Sequence, residues 1–440
     1  MATLYAVFKN HLYVFDPGPY RAKLAGLATY RRKGRLPKGT DRLARFYRSE
    51  ASYIAVPRGI LRHLEPLGIK VYDRRLLLPA VNFGWRGQLR PEQAAAARTL
   101  AMAGGGMLVA LPGAGKTEMG MATVAALQQP ALWLVNSINL AEEALKRARK
   151  LFNLPPSAYG YIGEGVWRIG THLTVGLYQS IARGGHDGFE LRFGQIWADE
   201  ADLVAALTFS QAVSQFPARY RGGLTATPER TDGLGPLVRD IIGGRLVAIP
   251  RKVLVSLGRV MVPRVRIVNT GFRYWGSGQW ADLQRTRAAD TNRNILAVRL
   301  IQRDFQQGHR ILALVEYVSH ARLLTKMLRS LGIPAFAAVG PVSPKHRERA
   351  LAQSASGQGV VVATKLADRG LDYPAMDRLH LVTPGKSLPR LEQQTGRVAR
   401  IFAGKEDAVI YDYADWHVPA LAKQAKARLE WYRREGFRGV

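Results

Sequence analysis

Met107-Leu108-Val109-Ala110-Leu111-Pro112-Gly113-Ala114-Gly115-Lys116-Thr117 runs from an apolar strand into a glycine loop, and Glu118-Met119-Gly120-Met121-Ala122-Thr123-Val124 continues as a helix-compatible stretch. Glycines let backbone N–H groups approach a phosphate closely, and the N-terminus of the following helix turns the positive end of its dipole to the same place. On that geometry Gly113, Ala114 and Gly115 form a cradle, Lys116 reaches the β- and γ-phosphates of a nucleotide, and the Thr117 hydroxyl ligates Mg²⁺. The strict Gly-x-x-x-x-Gly-Lys-Thr form is not met, since Ala110 stands at its first position. An incidental lysine beside a glycine turn is the alternative, and the flanking strand and helix argue against it.

Working outward, short apolar runs alternate with helix-like stretches. Leu132–Val135 and Gln195–Ala198 flank the first half, and Ile311–Val315, Gly359–Ala363, Leu379–Val382 and Ala408–Tyr411 repeat the pattern in the second. Strand, loop and helix in alternation predict parallel sheets with crossover helices. Three zones follow: residues 1–82, basic and aromatic; 83–250, the first sheet; and 251–440, a linker running into the second sheet and ending in a basic helix. The fold class expected is α/β, two tandem parallel-sheet domains with a small basic N-terminal accessory domain.

Asp199-Glu200-Ala201-Asp202 closes the apolar run at Trp197-Ala198, where an open α/β sheet places its ligand-binding side chains. A hard Mg²⁺ ion takes carboxylate and water oxygens, which makes Asp199 the metal-side residue, acting largely through water. Glu200 is then the group that orients and deprotonates an attacking water. An acidic helix cap is the plainer explanation of an Asp-Glu pair. Upstream, Leu89-Arg90-Pro91-Glu92-Gln93 suits a helix start. The functional reading gives Gln93 the adenine edge and Arg90 the phosphates, with Phe83 or Trp85 covering the base.

Far downstream stands Gln393-Gln394-Thr395-Gly396-Arg397-Val398-Ala399-Arg400. Arg397 and Arg400 are three apart, so a helix would point both the same way, toward charge developing on a γ-phosphate. Asp368-Arg369-Gly370-Leu371-Asp372 follows the strand ending at Thr364. Thr364 suits a nucleic-acid backbone, Gly370 offers close backbone approach, and Asp372 would hold the arginine-bearing helix.

The formal net charge of +31 attracts a polyanion. With no cysteine, disulfides and cysteine-ligated zinc or iron–sulfur centres are excluded, which fits a reducing cytoplasm. The first residues lack a secretory pattern, and no apolar run approaches the roughly 18 residues that span a bilayer. In the N-terminal zone, Tyr20–Lys23, Tyr30–Arg35 and Arg42–Arg48 interleave cations with rings. Cations would neutralise phosphates while rings stack on unpaired bases, or the rings form a small core beneath a solvated basic face. Leu421, Ala425, Leu429 and Tyr432 recur at helical spacing among Lys423, Lys426, Arg428, Arg433 and Arg434, as in a docked helix.

Leu89–Gln93, Gly113–Thr117, Asp199–Asp202, Leu224-Thr225-Ala226-Thr227-Pro228, Thr364–Asp372 and Gln393–Arg400 together resemble the ordered motifs of superfamily 2 helicases. Asn136-Ser137, Tyr178-Gln179-Ser180 and Pro228–Gly233 narrow the resemblance to the XPB, UvsW and phage-type group of DNA helicases and fork remodellers. The neighbours of Asp199–Asp202 do not resemble the DEAD-box RNA helicases. The resemblance implies two RecA-like domains, with ATP and Mg²⁺ held by Arg90, Gln93, Gly113–Thr117, Asp199, Glu200, Gly370, Asp372, Arg397 and Arg400. It implies coupling through Thr225, Thr227 and Gln393, and strand contacts from Asn136, Gln179, Ser180, Arg230, Thr364 and Arg369. Arg369 departs from the acidic residue many relatives carry.

The expectation is an ATP-dependent DNA helicase or translocase acting on forks and junctions, with 3′→5′ movement implied by the family. Single-stranded and branched duplex DNA are the expected partners, with no membrane. An RNA helicase, the motor subunit of a restriction or repair complex, and a non-hydrolysing nucleic-acid platform are the alternatives. Lys116→Ala is expected to abolish ATP turnover while nucleic-acid binding persists, read by phosphate release beside a binding titration; normal hydrolysis in that variant removes the assignment.

Overall fold

Buried parallel strands organise both of the compact units into which the chain divides, Met1–Pro250 and Arg251–Val440. The computed structural model describes residues 5–34, 36, 39–64, 66, 68–184, 187–201, 206–226, 230, 232–276, 278–340, 344–364 and 373–440. Among them no helix is long and apolar enough to cross a membrane.

The first unit begins with β1 (Tyr5–Phe8) and β2 (Leu12–Phe15), two alternating strands paired antiparallel from Tyr5↔Phe15 to Phe8↔Leu12. Helix α1 (Tyr20–Leu27) follows, then the hairpin of β3 (Thr29–Arg31) and β4 (Leu43–Arg45). Next come β5 (Arg48–Ser49), β6 (Tyr53–Val56) and β7 (Lys70–Asp73), and the sheet order is β5-β6-β2-β1-β7. Period-2 alternation puts Ala6, Leu12, Val14, Ile54 and Val56 on one buried face. The β3–β4 hairpin leaves this sheet, and its Tyr30 and Ala44 join the large core of the same unit. The Tyr30 hydroxyl donates to Asp240 Oδ2 at 2.7 Å. Tyr30 is buried, while Phe46 and Tyr47 pack partly buried against cores, so these rings are occupied by packing rather than offered to bases. The cations of Arg31, Lys33, Arg42 and Arg45 stay exposed.

The large sheet holds β8 (Gly105–Ala110), β9 (Ala131–Val135), β10 (Tyr159–Gly163), β11 (Val166–Arg168), β12 (Leu173–Leu177), β13 (Gln195–Ala198), β14 (Tyr220–Thr225) and β15 (Arg245–Ile249). Its order is β11-β10-β12-β9-β13-β14-β8-β15, parallel except where β11 turns back on β10. Helices α2 (Pro91–Met102), α3 (Lys116–Leu127), α4 (Ile138–Leu151), α5 (Tyr178–Ala182), α6 (Ala206–Ser214) and α7 (Gly235–Ile242) accompany it. Ser137 caps α4, whose buried stripe is Ala141, Ala144 and Ala148, three small residues that let a highly charged helix sit close. Trp133 and Trp197 stack at 6.2 Å in the core, and Gly222 is required beside them, because a Cβ there would lie 2.3 Å from the Trp197 ring.

In the second unit β16 (Arg264–Asn269), β17 (Ile311–Val315), β18 (Ala335–Ala338), β19 (Val360–Thr364), β20 (Arg378–Leu381) and β21 (Val409–Ala414) form a parallel sheet ordered β16-β21-β20-β17-β19-β18. The segment expected as a linker and entry to the second sheet supplies an edge strand of that sheet. Arg264-Val265-Arg266-Ile267 alternates charge and apolar residue, as an edge strand does, and so lacks the continuous apolar run of a central one. The C-terminal helix Pro419–Arg434 docks through Leu421, Ala425, Trp431 and Tyr432. Arg428 turns inward, its Nε and Nη2 donating to the two oxygens of Asp412, both at 2.7 Å. It is therefore a core cation and not part of the helix's basic outer face.

A second buried pair of cations meets at Asp415, which accepts from Arg287 Nε at 2.6 Å and Arg293 Nε at 2.9 Å. Burial pushes the Asp415 carboxyl up, but Arg293, Arg287 and the Thr270 hydroxyl together hold it below its ordinary value. Stability from this group is present above the ordinary carboxylate range and is lost as pH falls through the lowered folded value. Asp415→Asn leaves two buried guanidiniums uncompensated and is expected to cost about 3–5 kcal/mol, measured by denaturant melts; an unchanged midpoint means the charges are not buried together.

Candidate nucleotide and nucleic-acid site

Apart from Phe83 and Trp85, the expected site residues of the first unit within the described residues lie at or after the C-terminal end of a parallel strand, or beside the loop that follows one. Ala110 of β8 leads into the glycine loop, Val135 of β9 into Asn136, and Leu177 of β12 into Gln179 and Ser180. Ala198 of β13 leads into Asp199, and Thr225 ends β14. The registers Leu177↔Val135, Ala198↔Leu134, Ala198↔Gly223 and Thr225↔Val109 bring these ends to one edge. Because β14 lies between β8 and β13, buried Thr225 sits between the Lys116 loop and the Asp199–Glu200 turn. In open α/β sheets this edge is where ligands bind.

The loop is fixed through one carbonyl. Ala114 O accepts from Gln93 Nε2 at 2.8 Å and from Arg90 Nη2 at 3.0 Å. Gln93 Oε1 in turn accepts from the Arg90 N–H at 3.0 Å at the start of α2, and Glu92 holds Arg90 Nε at 2.7 Å. Gly115 caps α3 with φ 87°, and a Cβ on it would fall 2.2 Å from Gln93 Nε2, so turn and close approach both demand glycine. Lys116 is buried at 9% exposure, and its Nζ donates to Ala110 O at 3.1 Å. Thr117 and Gly113 keep some surface at the mouth of the cradle.

Phe83, expected near the base, is instead a core residue packed on Phe152 at 5.0 Å and His172 at 5.6 Å. An apolar ring in a loop reads the same whether it covers a ligand or plugs a core. Trp85 stays half-buried against Phe152.

Asp199 is held by its N–H on Leu134 O at 2.9 Å, while its Oδ1 accepts from the Glu200 N–H at 3.0 Å. Burial and then the Glu200 carboxylate push the Asp199 carboxyl up to about 7, against the pull of Lys116. Glu200 adopts φ 47°, a left-handed conformation that costs a non-glycine residue energy. Its buried Oε2 has no hydrogen-bond partner among the described residues. A strained, unsatisfied carboxylate beside a lysine-bearing glycine loop fits a nucleotide phosphate with Mg²⁺. Asp199 and Thr117 would hold the ion, which would keep waters for its remaining positions.

Among the expected strand-contacting residues, Gln179 is exposed, Asn136 and Ser180 are half-buried, and Ser137 is spent as the α4 cap. Arg230 forks onto Asp232, with Nε 3.0 Å from Oδ1 and Nη2 2.6 Å from Oδ2. Asp202, Thr227, Arg369, Gly370 and Asp372 lie outside the described residues.

In the second unit Thr364 ends β19, and its buried Oγ1 has no partner among the described residues. Gln393 and Arg397 lie on the helix Leu388–Val398, and the Arg397 guanidinium sits 5.6 Å over the Tyr373 ring. Arg400 departs from the expectation. The helix stops at Val398 with Ala399 as its cap, so Arg400 leaves the helix and pairs by a backbone bridge with Val260. The cause is Lys405, unmarked in the sequence reading. Its buried Nζ donates to Pro374 O, Val398 O and Arg400 O, drawing the chain out of the helix at its carbonyl end. Burial pulls the Lys405 ammonium down to about 8. A lysine eight residues past Arg397 beside Gly404 was the one sequence signal available, and lysines in basic chains are too common to single it out.

Residues 86–230 match the family described as type III restriction enzyme, res subunit, and residues 292–402 match the helicase conserved C-terminal domain. The chain is 24% identical over 414 residues to an Acanthamoeba polyphaga mimivirus protein assigned as the ATP-dependent RNA helicase L396, covering 89% of this chain and 76% of the relative. It is 23% identical over 337 residues to helicase D10 of Escherichia phage T5, covering 75% and 72%. It is 25% identical over 369 residues to the DNA 3′-5′ helicase XPB of Kineococcus radiotolerans, covering 78% and 64%. In fold it is similar to a fragment assigned to the HsdR subunit of a type I restriction enzyme from Vibrio vulnificus, with a TM-score of 0.59, 16% identity and 87% of each chain. The helicase domain of Hef from Pyrococcus furiosus gives a TM-score of 0.52 at 16% identity, over 77% of this chain and 98% of that one. With both helicase domains matched in order and each built on a parallel sheet, the chain belongs to the superfamily 2 helicases, carrying two RecA-like domains that use ATP and bind nucleic acid.

Proposed function

We propose that the chain is a DNA helicase or translocase that remodels forks and junctions with 3′→5′ movement, working in the cytoplasm. The observation that carries the ATP-driven part is the meeting of Lys116, Asp199 and strained Glu200 at one sheet edge. The net charge of +31 favours a polyanion, and the similarity to a DNA 3′-5′ helicase of the XPB type favours DNA. The exposed Arg31, Lys33, Arg42 and Arg45 of the N-terminal hairpin are the proposed duplex contacts.

In this reading Lys116 exchanges the Ala110 carbonyl for phosphate oxygens. Gln93 retains one donor and one acceptor site on its carboxamide for the adenine edge. Asp199 and Thr117 would hold Mg²⁺, which would supply neutralisation of phosphate charge. Glu200 Oε2 takes a proton from the attacking water, and Arg397 and Arg400 stabilise charge on the γ-phosphate. Thr225, Thr227 and Gln393 relay the change to strand contacts at Asn136, Gln179, Ser180, Arg230, Thr364 and Arg369, while Gly370 and Asp372 join the residues that hold the nucleotide. An RNA helicase is the second reading, favoured by the similarity to the mimivirus protein.

Matched DNA and RNA strands separate the two readings. Phosphate release is expected to rise more with DNA, and a larger rise with RNA reverses the substrate assignment. Glu200→Gln is expected to lower kcat about 100-fold or more with little change in ATP binding; near-normal turnover would falsify the base assignment. Gln93→Ala removes one of the two hydrogen bonds on the Ala114 carbonyl and is expected to raise the KM for ATP about tenfold, a loss near 1.4 kcal/mol, with weaker discrimination against GTP. Equal kinetics for both nucleotides in wild type and variant would assign Gln93 to packing alone.

A further inference from the structure

The opposite edge of the first unit's large sheet carries a second concentration of charge. Gly104 precedes β8, Arg219 precedes β14, Arg221 lies near its start, and Gly243 and Gly244 precede β15. These N-terminal strand ends and the N-terminal sheet enclose a cavity of about 260 Å³ lined by Arg58, Arg62, Arg75, Arg219 and Arg221, with no acidic residue among the described residues that line it. We infer that this cavity is a phosphate-binding site, remote from the nucleotide edge.

Five guanidiniums line one space, and the carboxylates that answer them are Asp73, paired with Arg75 and Arg219, and Asp240, paired with Arg62. Arg58 and Arg221 are buried at 4% and 3% exposure. Arg58 donates to Lys9 O at 2.7 Å and Ala218 O at 2.8 Å. Arg221 donates to Ile241 O and Phe216 O at 2.8 Å and to Asn10 O at 2.9 Å. Carbonyls fix those guanidiniums in place but bring no net negative charge, and buried cations without counter-charge are costly. The buried Nε of Arg221 has no hydrogen-bond partner among the described residues. Burial and then Arg75 draw Arg221 down to about 9, still a cation at neutral pH, and burial followed by Arg221 and Arg75 lowers Arg58. The same surroundings hold His11 at about 4 and therefore neutral.

A clamp joining the N-terminal sheet to the large sheet accounts for the carbonyl bonds. It also accounts for the Arg62–Asp240 and Arg219–Asp73 pairs, but not for the excess of five guanidiniums over two carboxylates around one cavity, or for the unused Nε. Planar forks around a polar space match the oxygens of a phosphate, supplied either by a nucleic-acid backbone or by a free ion. The inference stands whether or not the chain unwinds nucleic acid, because it asks only for an anion.

Arg62 and Arg219 are the accessible members, with side chains 57% and 37% exposed, so R62Q/R219Q leaves the buried pair untouched. The full chain, its nucleotide edge saturated with ADP and Mg²⁺, is titrated with inorganic phosphate against chloride at equal ionic strength and followed by thermal melting. A labelled duplex is titrated in parallel, and R98Q/R192Q, at two exposed arginines elsewhere, is the charge-matched control. Wild type and control are expected to gain melting temperature from phosphate, and R62Q/R219Q to lose that gain. If a backbone phosphate is the ligand, R62Q/R219Q also weakens duplex binding about threefold or more beyond the control, with a shallower salt dependence. Loss of the phosphate response alone identifies a free anion. If R62Q/R219Q matches the control with both probes, the site does not exist.

Discussion

The carbonyl oxygen of Ala114 takes two hydrogen bonds from the start of α2, and the shape of the glycine loop follows from them. Gln93 and Arg90 converge on it, which sets the distance between α2 and the loop. That distance leaves no room for a side chain at position 115. Gly115 then turns the chain so that α3 begins at Lys116, with the ammonium drawn inward against the Ala110 carbonyl. Two strands away, Asp199 and Glu200 stand at the same edge with charge they do not fully neutralise within the protein. One fixed carbonyl therefore holds the lysine in the field of the carboxylates.

Much of this was legible in the sequence because parallel central strands are buried on both faces and read as continuous apolar runs. Each of the runs singled out in both halves is a strand, within three residues at its ends. Strands with one exposed face were not legible in that way. Arg264–Asn269 alternates charge with apolar residues and so does not look like core, yet it pairs along its whole length. The nucleotide residues were legible because loop chemistry restricts which side chains fit. Phe83 misled because an aromatic ring has no local mark distinguishing ligand from core. Arg400 misled because spacing describes a helix only while the helix lasts, and Lys405 ends it.

Arginine does two different things in this strongly basic chain. On exposed hairpin and helix faces it contributes field. Inside, at Arg287, Arg293 and Arg428, it is a crosslink, each guanidinium tied to a buried carboxylate and often to a backbone carbonyl as well. Asp412 and Asp415 are the carboxylates of those crosslinks, while buried Asp304 meets His380 and Tyr411. The first unit's basal cavity is different in kind, because its buried arginines are tied mainly to neutral carbonyls.

The joint between the N-terminal sheet and the large sheet constrains what can be exchanged with a relative. Tyr30 reaches Asp240, Arg58 reaches Ala218, Arg221 reaches Asn10, and Leu76 bridges Ala218. Partners on both sides of this joint are read by backbone atoms and buried polar tips, so neither side tolerates a foreign surface. A chimera carrying another protein's first eighty residues would need matching hydrogen-bond partners transplanted into 216–221 and at 240, and the two stretches would have to drift together in evolution.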